Sequence, residues 1–241
     1  MSSINFNNGF YEFSTNTFNK YDTDKKPDMS VNYDYIEYTG DEPIFKEIDE
    51  YFNKLLKNED ERNRLLKLLS NRIRGIEDYK FNIIYGPASN GKSVFSLLVK
   101  KLFGDYSQSM NVDFIDELKL NVEDLCKKRF LIISEPTIET FSNLNKTLFD
   151  KLPKQLDVYR NKNNSIPKIQ LLIISNYLPN LSNYPEQDKS KLNILHFNTS
   201  FIDKKKEITK ENQEYADFSY DQKIKTPEWN SALIWLLIHK Y

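Results

Sequence analysis

Residues 86–93 combine residue types that together bind phosphate groups. They read Gly-Pro-Ala-Ser-Asn-Gly-Lys-Ser and fit the pattern G-x-x-x-x-G-K-[ST] of a phosphate-binding loop. Glycine lets the backbone approach a polyphosphate so that successive N–H groups point at its oxygens, while Lys92 reaches the β- and γ-phosphates and the Ser93 hydroxyl binds Mg²⁺. We therefore expect ATP and Mg²⁺ as cofactors. The expected binding residues are Gly86, Pro87, Ala88, Ser89, Asn90, Gly91, Lys92 and Ser93.

Two polar residues follow apolar runs farther along the chain. Glu135 comes after the run 130–133, and Asn176 comes after the run 171–174. A carboxylate in this position can organise Mg²⁺ and polarise the attacking water, and an asparagine amide can hold the γ-phosphate. Each signal alone is weak, because acids after strands are common and asparagine favours turns. The order of loop, carboxylate and asparagine gives them weight. The expected catalytic residues are Lys92, Glu135 and Asn176, and the expected metal ligands are Ser93 and Glu135.

The elements that must position these residues have the pattern of an α/β fold. Apolar runs recur with polar punctuation at 81–85, 130–133, 171–174 and 192–197. Residues 94–103 repeat apolar side chains at helical spacing, directly after the loop. Such β-branched runs, separated by helical stretches, predict a mostly parallel sheet flanked by helices. Ligands of these sheets bind beyond the carboxyl ends of the strands, where the loop, Glu135 and Asn176 fall.

The sequence predicts three segments, two of which precede the phosphate-loop core. Residues 1–40 mix aromatic and polar side chains with turn formers, which favours short strands and loops. Residues 41–78 carry two amphipathic helices, the first starting at Pro43 and the second stopping at Gly75. Residues 79–241 form the phosphate-loop core and close with a helix that begins at Pro227 and packs on it.

Composition excludes several classes of protein. The formal net charge of the 241 residues is −1, so a nucleic-acid surface must be a local patch. Cys126 is the one cysteine and the histidines are His196 and His239, too few for an internal disulfide or a Cys/His zinc site. The longest apolar stretch, 232–238, falls far short of the ~20 residues that span a bilayer, and the first residues lack the pattern of a signal peptide. We expect a soluble, intracellular protein that is not bound to a membrane.

The ordered motifs resemble those of the superfamily 3 helicases, in particular the helicase part of poxvirus-type and phage or plasmid primase-helicases. Residues 86–93 look like their Walker A motif, 129–136 like Walker B, and 171–179 like motif C. The similarity covers nearly the whole chain, because other parts also resemble elements of the family. These parts are residues 5–11, 66–75 and 229–241.

The resemblance implies an AAA+-like core, a hexameric ring with ATP held between neighbouring subunits, and 3′-to-5′ movement on single-stranded DNA. In the family, the region between Walker B and motif C projects into the ring channel and grips the DNA backbone. Lysine and arginine supply sequence-independent phosphate contacts. The residues expected to bind DNA here are Lys151, Lys154, Arg160 and Lys162. For each of them alone, a solvated charged face is the alternative.

Two departures from the family pattern concern hydrolysis. The family usually places an arginine finger after motif C, where this chain has Lys189 and Lys191. Lysine cannot make the planar bidentate phosphate contact of arginine. Either one of these lysines acts on the nucleotide of a neighbouring subunit, or Arg160 or another residue does, or hydrolysis is weak. Many ring helicases also have two adjacent acids at Walker B, whereas Ser134 precedes Glu135 here.

The motifs therefore favour an ATP-dependent DNA helicase subunit that acts in replication of a virus, phage or plasmid. A separate primase or polymerase is a possible partner, because the larger family proteins carry a primase domain upstream and this chain is expected to be a compact helicase or a fragment. Two alternatives stay open. One is a nucleotide-gated DNA-binding or loading module with little hydrolysis, and the other is a phosphate-loop ATPase motor that is not a helicase.

Overall fold

The chain begins with three short strands and two helices, and further strands and helices follow them. The computed structural model describes residues 3–22, 27–76, 80–110, 122–136, 169–178 and 186–241. Within these residues the strands are β1 (Ser3–Asn5), β2 (Gly9–Glu12), β3 (Thr17–Lys20), β4 (Phe81–Tyr85), β5 (Ser107–Met110), β6 (Phe130–Ser134), β7 (Gln170–Ser175), β8 (Leu192–His196), β9 (Ser200–Ile202) and β10 (Gln213–Tyr215). The α-helices in the same ranges are α1 (Pro43–Leu55), α2 (Glu59–Arg74), α3 (Lys92–Phe103), α4 (Val122–Lys127), α5 (Glu186–Lys189), α6 (Ser219–Lys223) and α7 (Pro227–His239).

Five of the strands form a parallel sheet in the order β5-β6-β7-β4-β8. The register pairs Ile83 with Ile173 and Ile84 with Ile174, so β-branched side chains lie next to one another across strands. A parallel sheet is normally covered on both faces, which is why its strands read as continuous apolar runs. The predicted α/β fold with a mostly parallel sheet is confirmed. The order also places β7 between β4 and β6.

Alternate residues of the sheet belong to two hydrophobic clusters. Ile84 and Ile132 are part of the larger cluster, which includes residues of α1, α2, α3 and α7. Ile83 and Ile133 are part of a smaller cluster, which includes Leu125 of α4. This division follows from the two-residue period of a strand, which points successive side chains to opposite faces. The helices that surround the phosphate-loop motif therefore pack mainly on one face.

Helix α7 is buried on every side, and its apolar residues are central to the larger cluster. Every residue from 229 to 238 is buried. Its last turn is held by α2, because the Ser70 hydroxyl donates to the Leu237 carbonyl at 2.8 Å and the Arg74 guanidinium donates to the Ile238 carbonyl at 2.6 Å. These bonds satisfy carbonyls that have no partner within the helix. The predicted closing helix is present and packs on the core.

Helices α1 and α2 present one apolar face each to this core. The residues that α1 buries are Phe45, Ile48, Tyr51, Phe52 and Leu55. Asn58 caps α2 by accepting a hydrogen bond from the Glu61 amide at 3.0 Å. Gly75 follows α2 with φ of 65°, the left-handed conformation that glycine adopts readily. The boundaries expected at Pro43 and Gly75 are confirmed.

The N-terminal segment packs directly on the phosphate-loop core. β1, β2 and β3 form an antiparallel sheet. Beyond it, the Tyr33 hydroxyl donates to the Leu102 carbonyl at 2.7 Å, and the Asp105 carboxylate accepts from the Ser30 amide at 3.1 Å. Side chains of this segment, of α1 and α2 and of the core share the larger hydrophobic cluster. The segment boundaries after residues 40 and 78 remain predictions.

Six short elements have no signal in the sequence patterns: β5, β9, β10, α4, α5 and α6. β5 reads Ser-Gln-Ser-Met, and among the described strands it is bonded to β6 alone. β9 and β10 pair in parallel as a separate two-stranded sheet, and α6 follows them. Strands so short and polar form only because tertiary partners supply their hydrogen bonds.

Membrane-spanning helices do not occur within the described ranges. The longest helix there, α2, has 16 residues, and none has both the length and the hydropathy that a membrane span requires.

Gly104 links α3 to the N-terminal segment and gives a test of this packing. It has φ of 48°, and a Cβ at this position would lie 2.5 Å from the Val31 carbonyl oxygen. Gly104→Ala adds backbone strain of roughly 1–2 kcal/mol and an overpacking penalty of about 1–3 kcal/mol. Gly40→Ala is the matched control, because φ is 96° but the new Cβ has ordinary contact, 3.4 Å from Trp235. We expect denaturant unfolding to show a clearly larger loss for Gly104→Ala; equal losses would contradict the packing described here.

Candidate active site

The loop between β4 and α3 is held between α1 and β9. Ser89 and Gly91 have positive φ angles of 60° and 83°. A Cβ on Gly91 would lie 2.7 Å from Leu55 Cδ1, so a side chain at this position would collide with α1. On the other side, the Phe201 amide donates to the Ser89 carbonyl at 2.8 Å. The loop conformation is therefore fixed by its neighbours as well as by its glycines.

Asn90 connects the loop to the chain just after β8. Its buried side chain donates from Nδ2 to the Phe197 carbonyl at 2.7 Å and accepts at Oδ1 from Lys92 Nζ at 2.8 Å. A Cβ on Gly86 would overlap both the Asn90 amide nitrogen and the Phe197 carbonyl oxygen. In the sequence pattern, Asn90 is simply one residue of the loop. That it also holds Lys92 is visible only in the fold, because Phe197 is 107 residues away.

The Lys92 ammonium lies inside the loop. Nζ donates to the Gly86 carbonyl at 2.6 Å, to the Pro87 carbonyl at 2.8 Å and to Asn90 Oδ1, which accounts for all its N–H groups. Burial lowers the pKa of Lys92 from its ordinary value, and the Glu135 carboxylate opposes that shift. The loop therefore holds a positive charge at a position where phosphate oxygens could replace the three acceptors of Lys92.

The first turn of α3 adds donors of its own. The helix begins at Lys92, directly after Gly91. The N–H groups of a first helical turn have no acceptor within the helix, and the helix dipole makes this end favourable for an anion. Ser93 stands in the same turn with a hydroxyl oxygen. The loop and the helix start therefore provide a concentrated set of donors for a phosphate chain.

Glu135 and Asn176 lie at the carboxyl ends of adjacent strands. Glu135 follows β6 and its amide donates to the Ile174 carbonyl at 2.7 Å, while Asn176 follows β7. The φ angle of Glu135 is 53°, a left-handed conformation that is uncommon for glutamate. Such backbone strain costs on the order of 1–3 kcal/mol and is found mainly at functional sites. The surrounding sheet holds this carboxylate in a conformation that it would not adopt alone.

One cavity of about 490 Å³ is lined by loop residues 88–93 together with Glu135 and Asn176, while the predicted residues Gly86 and Pro87 are not part of its lining. Lys92 and Ser93 line it beside Glu135 and Asn176, and its volume is in the range of small-molecule sites. Mg²⁺ usually binds through one or two carboxylates together with phosphate oxygens and waters. The Ser93 hydroxyl and the Glu135 carboxylate suit that ligand set. No group of three His, Cys, Asp or Glu side chains able to hold a metal ion occurs in the parts of the chain that the structure describes.

A second wall of the cavity comes from residues that carry no motif. They are Tyr51, Lys54, Phe201, Tyr215, Phe218 and Tyr220. These residues belong to α1, the β9–β10 sheet and the start of α6, which are distant from the loop in sequence. Burial, together with nearby carboxylates, raises the pKa of Tyr220 to about 12, so this phenol stays neutral. Sequence reasoning missed this wall because its members resemble ordinary core and surface residues.

The two predicted trans-acting lysines lie far from the loop of their own chain. Lys189 ends α5 and Lys191 precedes β8, whose opposite end pairs with Tyr85 beside the loop. Crossing β8 takes roughly 16 Å, since a strand rises about 3.3 Å per residue. Lys189 Nζ is paired with Glu186 at 2.6 Å, a largely exposed ion pair of little strength. From this edge of the sheet, either lysine would have to act on another subunit.

The predicted DNA-binding residues Lys151, Lys154, Arg160 and Lys162 lie outside the described residues. Their role therefore stays a prediction.

Comparison with known proteins shows what the chain is similar to. No family model matches the sequence. A protein of Acanthamoeba polyphaga mimivirus named "Putative helicase L207/L206" is 24% identical over 263 aligned positions, which include 98% of this chain and 26% of the viral protein. The chain thus spans about a quarter of the length of the relative it matches.

Solved structures of the C-terminal region of NrS-1 have the same fold. One apo structure superposes with a TM-score of 0.57 at 17% identity and covers 90% of this chain and 50% of that one. A second superposes with a TM-score of 0.55 at 14% identity, covering 80% and 45%. At these identities the likeness establishes the α/β fold alone. The sequence is, in addition, similar to that of a viral protein named as a helicase.

Proposed function

We propose that this chain is a subunit of an ATP-dependent DNA helicase that acts in replication of a virus, phage or plasmid. The observation that carries the proposal is the shared cavity, into which three separate strand ends bring Lys92 with Ser93, Glu135, and Asn176. That set of groups is what phosphoryl transfer to water needs: a phosphate cradle, a metal ligand and a residue beside the attacking water. The similarity to a mimivirus protein named as a helicase supports the same direction.

In this proposal the loop binds the phosphates of ATP. The amides of the loop and of the first turn of α3 donate to the phosphate oxygens, and Lys92 exchanges its three internal acceptors for the β- and γ-phosphates. Asn90 keeps its bond to the Phe197 carbonyl, so the loop does not collapse when Lys92 turns. Ser93 and Glu135 would hold Mg²⁺, which would neutralise charge on the phosphates.

Hydrolysis then depends on the two strand ends beside the loop. Glu135 polarises a water molecule for attack on the γ-phosphate, and its left-handed backbone fixes the direction of the carboxylate. Asn176, at the end of the adjoining strand, hydrogen-bonds the γ-phosphate, so its hydrogen bonds change when the γ-phosphate is cleaved from ATP. The chemistry is mainly positioning and charge stabilisation, as in phosphoryl transfer generally.

Movement on DNA requires other subunits in this proposal. ATP lies between neighbours of a hexameric ring, and Lys189 or Lys191 of one subunit reaches the nucleotide of the next. Single-stranded DNA binds Lys151, Lys154, Arg160 and Lys162 through its phosphates. A separate primase or polymerase is the expected partner at the replication site.

Replacing Lys92 tests the proposed ATPase. We expect Lys92→Ala to lower the steady-state ATPase rate about 10²- to 10³-fold, the usual effect of losing one donor to developing charge. Single-stranded DNA should stimulate the wild-type rate and leave the variant unchanged. Lys101→Ala is the matched control, because Lys101 is an exposed lysine at the other end of the same helix.

The outcomes separate the proposed functions. A wild-type rate equal to that of Lys92→Ala with and without DNA would contradict an ATP-driven motor. DNA binding that depends on ATP, in the absence of turnover, would then support a nucleotide-gated DNA-binding module. ATPase activity that ignores DNA would support a motor that is not a helicase.

Replacing Glu135 tests the assignment of the water-polarising group. Glu135→Gln keeps the size of the side chain but removes the base, so we expect turnover to fall about 10²- to 10⁴-fold. Equilibrium binding of ATP should change far less than turnover. Glu211→Gln, at an exposed acid outside the cavity, serves as control. Turnover that persists in Glu135→Gln would assign the role to another group.

The strained backbone of Glu135 also predicts how the free energy of unfolding depends on the residue at this position. At φ of 53° an alanine suffers a penalty that glycine avoids, roughly 1–2 kcal/mol. We therefore expect Glu135→Gly to unfold at a higher denaturant concentration than Glu135→Ala, with both inactive. Equal midpoints, or a more stable alanine variant, would show that this residue is not strained in solution.

A further inference from the structure

We infer that the second wall of the cavity binds the base of the nucleoside triphosphate, and that Phe218 is the surface on which the base stacks. The inference rests on the proposed function and adds a base-selecting residue to it. Phe218 lines the same cavity as Lys92 and Glu135 but comes from the segment just before α6.

Charge decides which end of the ligand faces which wall. The loop end of the cavity carries the Lys92 ammonium and the first-turn amides of α3. The second wall carries the carboxylates of Asp203, Asp217 and Asp221 and the ammonium of Lys54. Lys225 pairs with Asp221 at 2.7 Å, and Lys223 also acts on Asp217, so this wall has little net charge. A hydrogen bond from Ser219 lowers the pKa of Asp217, which keeps this carboxylate ionised. Phosphates are therefore attracted to the loop end, which leaves the second wall to the nucleoside.

The second wall is aromatic. Tyr51, Phe201, Tyr215, Phe218 and Tyr220 all line it. Aromatic side chains recognise bases by stacking, because every base presents a flat π-face. A phosphate chain has no such face, so this wall suits the base and does not suit a second anion.

The backbone around Phe218 is fixed although its ring is exposed. The Ala216 amide donates to the Ile202 carbonyl at 2.8 Å, and the Ser219 amide donates to the Asp217 carboxylate at 3.0 Å. The next residue, Tyr220, packs on Tyr51 of α1 with ring centroids 5.1 Å apart. The platform is thus built before a base arrives, which reduces the entropy lost on binding.

Phe218 has an exposed fraction of 81%, the highest among the exposed large hydrophobic residues of the described part of the chain. One exposed apolar residue is ordinary on a protein surface. Phe218 differs because it stands at the edge of a cavity whose other end is built for phosphates. A stacked base would cover the ring and recover the hydrophobic free energy that exposure forfeits.

The size of the base should matter at such a platform. A bicyclic purine covers more of a phenyl ring than a pyrimidine does, so removal of the ring should weaken ATP more than UTP. One stacked base contributes enough binding free energy for a change of about tenfold or more in affinity.

Equilibrium binding of Mg²⁺-ATP, Mg²⁺-UTP and Mg²⁺-tripolyphosphate to the full chain tests the inference. For Phe218→Ala we expect about tenfold weaker ATP binding, a smaller loss for UTP and unchanged tripolyphosphate binding. Phe218→Tyr should bind ATP as the wild type does, because the stacking face is kept. Tyr241→Ala removes an exposed aromatic residue outside the cavity and is the matched control. Since Phe218 is mostly exposed, its truncation should leave the unfolding midpoint unchanged.

Failure of this inference can be told apart from failure of the proposed function. If the wild type binds neither ATP nor tripolyphosphate, the proposed function fails. If the wild type binds both and Phe218→Ala binds ATP equally well, the base does not stack on Phe218. Equal weakening of ATP and tripolyphosphate in Phe218→Ala would also overturn the inference, because it would show a disturbed phosphate site.

Discussion

The insertion of β7 between β4 and β6 is the constraint on which the candidate site depends. Because the strands are parallel, their carboxyl ends meet at one edge of the sheet, and the strand order decides which side chains become neighbours there. Asn176 comes to lie between the loop after β4 and Glu135 after β6. A sheet with β4 directly beside β6 would leave no position between the loop and the carboxylate. The site therefore depends on the strand order as well as on the identity of its residues.

Polar bonds and tolerated strain keep this edge in one conformation. Lys92 is held by three oxygen acceptors, and Asn90 ties the loop to the chain after β8. Two residues without the freedom of glycine, Ser89 and Glu135, have left-handed backbones. Buried polar groups and strained residues both cost free energy, so they persist only where the surroundings determine them. The carboxyl edge of the sheet concentrates both features, while the apolar faces supply the stability that maintains them.

The second wall of the cavity depends on packing far from the motifs. α1 supplies Tyr51, and α1 is positioned by α7, whose residues are buried all round. The N-terminal segment shares that core, and the similarity to the mimivirus protein extends over 98% of the chain. The strands and helices before the loop thus belong to the shared fold. Through them, the part of the chain before the phosphate-loop motif shapes the wall of the cavity that Tyr51 and Lys54 line.

The sequence alone determined the α/β class, the strands β4, β6, β7 and β8, the helices α1, α2, α3 and α7, and the identity of the residues at the strand ends. These follow from local periodicity and from glycine, proline and lysine at fixed spacing. It did not determine β5, β9, β10, α4, α5 or α6, whose short segments form only against tertiary partners. Neither the bond from Asn90 to Phe197 nor the aromatic wall with Phe218 has a local signal. Tertiary structure decided them, because contacts between residues far apart in the chain depend on how the strands are ordered and how the helices pack, and a local pattern carries no record of either.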